Sequence, residues 1–236
     1  MKRITERTAD GSFTLFVPDL DEHYHSVKGA QTESEYIFIE KGYKASEASS
    51  PKVLEIGFGT GLNALLTLEA ADKIHRQTNY TGIELYPLSW DEIKPLGYST
   101  NPLFEQIHHI PWDIEVKLTE YFTLEKIKAD VNTVFKTTED RQTLCTDNPV
   151  RTDSEHTLTR QFDVVYFDAF APEKQPEMWN AQLLRSIYVN MNKDGILTTY
   201  CAKGTIRRML QSIGFKVERL PGPPEGKREI LRAIKE

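Results

Sequence analysis

Long hydrophobic runs are missing from this chain. No stretch approaches the roughly 18 apolar residues that a membrane-spanning helix needs, so no membrane segment is expected. Cysteine is scarce: Cys145 and Cys201 are the two present. Two cysteines provide neither a disulfide scaffold nor a zinc framework, and they suit a reducing compartment. The opening residues, MKRITERTADG, contain no apolar core. A secretory leader is therefore not expected, and the cytoplasm is the expected location. An overall excess of positive charge is also lacking, since the formal net charge is -6. That balance argues against a polyanion partner for the chain as a whole. Its distribution argues differently. Residues 201–236 carry nine Lys/Arg against four Glu, while the rest holds 20 basic and 31 acidic residues. A basic end on an acidic protein suits a polyanion-facing surface, with an ordinary solvated helix and edge strand as the alternative.

What is present is a chain of 236 residues, long enough for one full domain and some accessory structure. Residues 1–50 alternate apolar and polar in GSFTLFVPDL, HYHSVKG and SEYIFIEKGY, which predicts short strands or a hairpin leading into a small helix. After the polar breaker KASEASSP the texture changes. KVLEIGFG, NYTGIELYP, FTLEKIKAD, FDVVYFDAF and ILTTYC read as strands. LNALLTLEAADKIH, EMWNAQLLRSIYVNMNKDG (closed by Gly195) and KGTIRRMLQSIGF read as helices. KVERL and EILRAIK read as a terminal antiparallel pair. Strands alternating with helices predict a doubly wound α/β sheet over residues 51–236, with a small β-rich extension over residues 1–50. The polar segment 132–161 reads as a short helix and a long surface loop.

Two places carry chemistry. The first is EIGFGTGLN. Gly57, Gly59 and Gly61 follow a buried strand and precede a helix, so backbone N–H groups face any ligand there. A tight strand–helix turn with no ligand is the alternative. A dinucleotide fingerprint requires Gly or Ala three residues after Gly59, and that position is Leu62. The spacing suits a cofactor without a phosphate. Glu84 closes the second strand, where an acid binds ribose hydroxyls. Asp130 ends the third, where it can accept from an adenine amino group or serve as a turn residue. The second place is VVYFDAFAPEKQPEMWN. A buried strand ends on the acid Asp168, and Phe170, Pro172, Pro176 and Trp179 follow at once. A carboxylate there can orient an amine and take its proton. Phe170 and Trp179 can stack a splayed base on a loop stiffened by proline. The alternative is a capped helix with two core aromatics.

These residues carry a family likeness. Glu55 to Gly61, with Phe58 and Asn63 beside the glycines and Glu84 beyond, resembles the S-adenosylmethionine site of class I methyltransferases. Asp168-x-Phe170-x-Pro172 with Pro176 and Trp179 resembles the methyltransferase domain of the tRNA-modifying MnmC family in its stand-alone, MnmD-like form. GFGTGLN, IELYPL, GILTTYCAKGTIRRMLQSIGF, GKREIL, HYHSVKGA and ESEYIFIE extend the likeness over nearly the whole chain, the segment 132–161 least. The resemblance implies a Rossmann-like class I fold, S-adenosyl-L-methionine as cofactor, and Asp168 and Phe170 at the reaction. It also implies conversion of 5-aminomethyl-(2-thio)uridine in a tRNA anticodon loop to 5-methylaminomethyl-(2-thio)uridine. A class I methyltransferase for a small-molecule amine is the alternative. No second glycine fingerprint follows, so no flavin domain is expected here, and a separate enzyme would supply the aminomethyl intermediate. Lys203, Arg207, Arg208, Lys227 and Arg228 are expected to form a phosphate-facing patch. Tyr86 is a candidate for the cofactor or base pocket or for the core. His23 and His25 share one side of a strand but lack a third ligand. They read as surface or RNA-contacting residues, and no metal is expected.

Overall fold

A computed structural model describes residues 2–7, 13–24, 29–135, 160–224 and 226–236. The predicted surface loop between Phe135 and Arg160, with Cys145 inside it, lies outside the described residues, as does His25.

Five consecutive parallel strands form the middle of an eight-stranded sheet of order β10-β11-β9-β8-β4-β5-β7-β6. They are β4 (Lys52–Ile56), β5 (Thr78–Glu84), β7 (Phe122–Lys128), β8 (Phe162–Phe167) and β9 (Met191–Thr199). The antiparallel strands are β6 (Glu115–Lys117) at one edge and the pair β10 (Phe215–Pro221) and β11 (Glu229–Lys235) at the other. Side chains alternate across the sheet with period two. In β8, Val164 and Tyr166 enter one apolar layer, and Val165 and Phe167 enter the other. Burial on both faces explains why this strand reads as a nearly unbroken apolar run.

The first layer is covered by α2 (Leu62–Ile74), by α3 (Trp90–Ile93) with α4 (Pro102–His109), and by the N-terminal helix. The second is covered by α5 (Val131–Val134), α6 (Ala181–Val189) and α7 (Gly204–Ile213). Ahead of them, β1 (Ile4–Arg7), β2 (Phe13–Val17) and β3 (Glu22–His23) form a small antiparallel sheet. Its Leu15 packs into the first layer. Among the described residues no helix is long and apolar enough to cross a membrane.

The small helix expected after the N-terminal strands is present and covers SEYIFIEKGY: α1 (Ala30–Ser34) continues with π-type hydrogen bonding through Glu35–Tyr43. Ile37, Phe38 and Ile39 are consecutive and all buried, which a half-buried strand does not permit. One expectation needs correcting: helix α6 stops before Gly195. Met191 would have continued its apolar stripe, but it pairs instead with Phe162 and opens β9. Gly195 lies inside that strand, where an added Cβ would sit 2.8 Å from the Asn192 carbonyl oxygen.

Candidate active site

Strand order reverses between β4 and β8, and a crevice opens beyond their C-terminal ends, as expected at such a switch point. The cavity is about 680 Å³, within the range that holds a small ligand. One side is the glycine loop. Gly57, Gly59 and Gly61 all have positive φ. Gly57 has the tightest constraint: at φ +88°, a Cβ there would lie 2.8 Å from the Asp168 carbonyl oxygen. Any side chain would push the two loops apart. The Gly57 and Phe58 amides both donate to the Ile83 carbonyl at 3.1 Å. The Phe58 ring points away into the core, so close over Gly82 that a Cβ there would lie 2.3 Å from it.

Glu84 ends β5 and holds this loop in shape. Its carboxylate accepts from the Gly59 amide at 3.0 Å and the Tyr86 amide at 2.8 Å. Asp130 lies beyond the end of β7 and lines the cavity. Its side chain also caps α5, accepting from the Asn132 amide at 2.9 Å. The turn role expected of Asp130 is therefore present, on a residue that also lines the cavity. Tyr86 lines the cavity and is about half exposed, not core.

Asn63 connects the two sides. From the first turn of α2 its amide nitrogen donates to Glu55 Oε1 at 2.8 Å and to Asp168 Oδ2 at 2.9 Å, and its Oδ1 is buried without a partner. Burial holds the Glu55 carboxyl well above the usual range, against the opposing influence of the Tyr80 hydroxyl and Asn63. Asp168 keeps a path to the cavity but is otherwise surrounded by protein, and this raises its carboxyl to about 7. Asn63 opposes that rise, the Glu33 charge adds to it, and Lys227 reduces it.

The Asp168 loop is rigid for reasons the sequence only partly discloses. The Asp168 amide donates to the Ile56 carbonyl at 3.0 Å, which ties β8 to β4. Phe170 lines the cavity and meets Tyr24 edge to face, with ring centroids 5.1 Å apart. Trp179 is not such a face. It is 5% exposed, packs against Phe167 and Tyr200, and donates its indole N–H to the Phe170 carbonyl at 2.7 Å. It braces the loop from the core side and does not line the cavity. Asn180 caps α6, accepting from the Leu183 amide at 2.8 Å. The capped helix with a core aromatic is thus present at Asn180 and Trp179, while Asp168 and Phe170 line the cavity.

The expected basic patch divides. Lys227 stands on the rim shared by the two depressions and is partly exposed, with its ammonium 3.7 Å from the Tyr200 ring centroid and 3.5 Å from Glu33 Oε1. Lys203 pairs with Glu173 and, with Arg228, lines a second, shallower depression beside Pro172. Arg207 and Arg208 lie on α7 and line neither cavity. His23 binds Glu6, Nε2 to Oε2, at 2.9 Å. Tyr24, Glu33 and Tyr200 line the main cavity without having been singled out from the sequence. Tyr200 had a usable signal, since it directly follows a central strand on the end where α/β folds bind ligands. Glu33 had none.

Residues 114–236, more than half of the chain, match a family described as S-adenosyl-L-methionine-dependent methyltransferase. The chain belongs to that family. Within it, the chain is MnmC-like. It is 27% identical to the tRNA 5-methylaminomethyl-2-thiouridine biosynthesis bifunctional protein MnmC of Delftia acidovorans, over 94% of this chain and 33% of that protein. The MnmC of Actinobacillus pleuropneumoniae is also 27% identical, over 89% of this chain and 32% of the relative. The chain thus spans about a third of the length of these relatives. The uncharacterized protein MJ0670 of Methanocaldococcus jannaschii is 28% identical over 92% of this chain and 55% of its own. The crystal structure of MNMC2 from Aquifex aeolicus has the same fold, with a TM-score of 0.70 and 24% identity over 98% of this chain and 70% of that one. As a member of this methyltransferase family the chain uses S-adenosyl-L-methionine, and the residues present fit it. The glycine loop admits no Cβ at Gly57, and an acid ends β5. Asn63 has an unpartnered buried oxygen, and the α2 N-terminus has no side-chain cap.

Proposed function

We propose that this chain methylates the amine of 5-aminomethyl-(2-thio)uridine at the wobble position of a tRNA, giving 5-methylaminomethyl-(2-thio)uridine. The backbone of Gly57 to Gly61, with Glu55, Asn63, Glu84 and Asp130, would hold S-adenosylmethionine. When bound, that molecule supplies a methyl group on a positively charged sulfur.

The observation that carries the reading is the position of Asp168. It stands at the C-terminal end of a central strand, bonded to Asn63 on the cofactor side, with Phe170 and Tyr24 lining the other side of the cavity. A primary amine is mostly an ammonium ion at neutral pH and cannot attack until it loses a proton. A carboxyl raised to about 7 is well matched to accept that proton and pass it to solvent. The neutral nitrogen is then free to take the methyl group through its lone pair. Holding nitrogen, carbon and sulfur in line accounts for much of the rate in such transfers. A wobble base lies in a single-stranded loop and can be splayed onto Phe170 and Tyr24, because base–aromatic stacking tolerates any base. Lys203, Arg207, Arg208 and Arg228 would contact phosphates. The names of the MnmC relatives support this substrate, and a tRNA substrate fits a cytoplasmic location.

The test supplies labelled S-adenosylmethionine with tRNA bearing 5-aminomethyluridine, with the same tRNA carrying plain uridine, and with free alkylamines. Label should enter only the first. Label entering free amines at a comparable rate would favour a small-molecule acceptor.

A further inference from the structure

The ammonium of Lys227 stands at the wall of the cavity that Asp168 also lines. It lies 3.7 Å from the Tyr200 ring centroid and 3.5 Å from Glu33 Oε1. All three residues line the same cavity as Asp168. The Tyr200 hydroxyl donates to the Ala169 carbonyl at 2.8 Å, which fixes the ring beside the Asp168 loop. Glu33 Oε1 is buried and has no hydrogen-bond donor. An aromatic face attracts an ammonium, and a carboxylate beside it adds an opposite charge. A lysine side chain ends in CH2–NH3+, the group that an aminomethyl substituent also carries.

We propose that Glu33 and Tyr200 form the acceptor-ammonium subsite, and that Lys227 is an internal occupant which the substrate displaces. This rests on the amine-methylation reading and deepens it. Glu33 and Tyr200 hold and orient the ammonium, and Asp168 remains the group that takes its proton. The three subsite residues come from α1, from the end of β9 and from the β10–β11 connection, so the subsite exists only in the folded chain. Lys227 therefore acts as a competitor for the subsite. A carboxylate on the amine would meet the negative charge of Glu33 and Asp168.

The test uses n-butylammonium as probe, n-butanol as neutral control, and isotope-edited NMR of the folded protein to follow binding. Lys227→Met keeps the chain length and removes the competing charge. It should strengthen n-butylammonium binding by about tenfold, a modest charge-assisted contact, and leave n-butanol unchanged. Adding Glu33→Gln should reverse the gain, whereas adding Tyr200→Phe, which keeps the ring, should preserve it. Unchanged ammonium binding in folded Lys227→Met overturns the proposal, as does a gain that survives Glu33→Gln. With aminomethyl tRNA, Glu33→Gln should raise KM more than it lowers kcat. If the butylammonium pattern holds but the tRNA is not methylated, the subsite stands and the tRNA reading fails. If the tRNA is methylated but the ammonium pattern is absent, the reverse is true.

Discussion

The two halves of the cavity are built in opposite ways. The half proposed to hold the cofactor is nearly continuous in sequence: Glu55 to Asn63 form one strand, loop and helix start, and Glu84 closes the neighbouring strand. The half proposed to hold the acceptor is assembled from distant segments, namely Tyr24 and Glu33 before the first central strand, Asp168 and Phe170 after the fourth, then Tyr200 and Lys227. A local half can be conserved as a motif of spacing, because its geometry follows from one turn. An assembled half depends on the whole fold, and its loops can vary the acceptor without disturbing the cofactor. Asn63 is the hinge between the two, since one amide nitrogen serves both Glu55 and Asp168.

This contrast can be broken by experiment, and the largest effect should come from Asp168. Asp168→Asn should lower single-turnover methyl transfer by about 10²–10⁴ and leave cofactor affinity within a few-fold. A parallel loss of cofactor affinity, measured by calorimetry, would assign Asp168 to the other half. The raised carboxyl also fixes the sign of the pH response. In the wild type, transfer should fall as pH drops through about 7, because the proton acceptor fills. For stability, a raised carboxyl favours the fold fully below its unfolded value of 3.8 and loses that contribution as pH rises through about 7. Asp168→Asn should therefore look more stabilising, by melting temperature, at pH 8 than at pH 5.

The next effect tests the local half. Gly57→Ala forces a Cβ to 2.8 Å from the Asp168 carbonyl oxygen at a φ of +88°. It should weaken cofactor binding and cost about 1–3 kcal/mol of stability, measured by calorimetry and denaturant melts. A variant with wild-type affinity would show that the loop is only a turn.

The same contrast explains what could be read from the sequence. The glycine loop, Glu84 and the central strands were legible because burial on both sheet faces and a tight turn leave local marks. Glu33 was not, because nothing near it in sequence shows that the chain brings it into the same cavity as Asp168, whereas Tyr200 could have been found from its place directly after a central strand. Trp179 was misjudged for a related reason. An aromatic residue in a loop looks like a stacking surface, and only the fold shows its indole N–H spent on the Phe170 carbonyl. Gly195 resembled a helix stop because Met191 kept the helical period.

Smaller effects sharpen the acceptor side. Trp179→Phe removes one buried donor and leaves a ring in place. It should cost about 1–2 kcal/mol and reduce transfer through a looser Phe170, seen as lower kcat with cofactor affinity unchanged. The smallest effect concerns the basic surface. Replacing Arg207 and Arg208 together by alanine should reduce the salt slope of tRNA binding by about 1–2, at roughly 0.7 per phosphate contact. An unchanged slope would exclude α7 from the RNA interface.

The central claim is that the assembled half takes a primary amine from tRNA. Its most direct test incubates this 236-residue chain and S-adenosylmethionine with tRNA bearing either 5-aminomethyluridine or 5-carboxymethylaminomethyluridine, then digests both and identifies the nucleosides by mass spectrometry. The account predicts 5-methylaminomethyluridine from the first and no change in the second, whose carboxylate would face Glu33 and Asp168. A methylated product from the second, or none from the first while the tRNA remains bound, would contradict it.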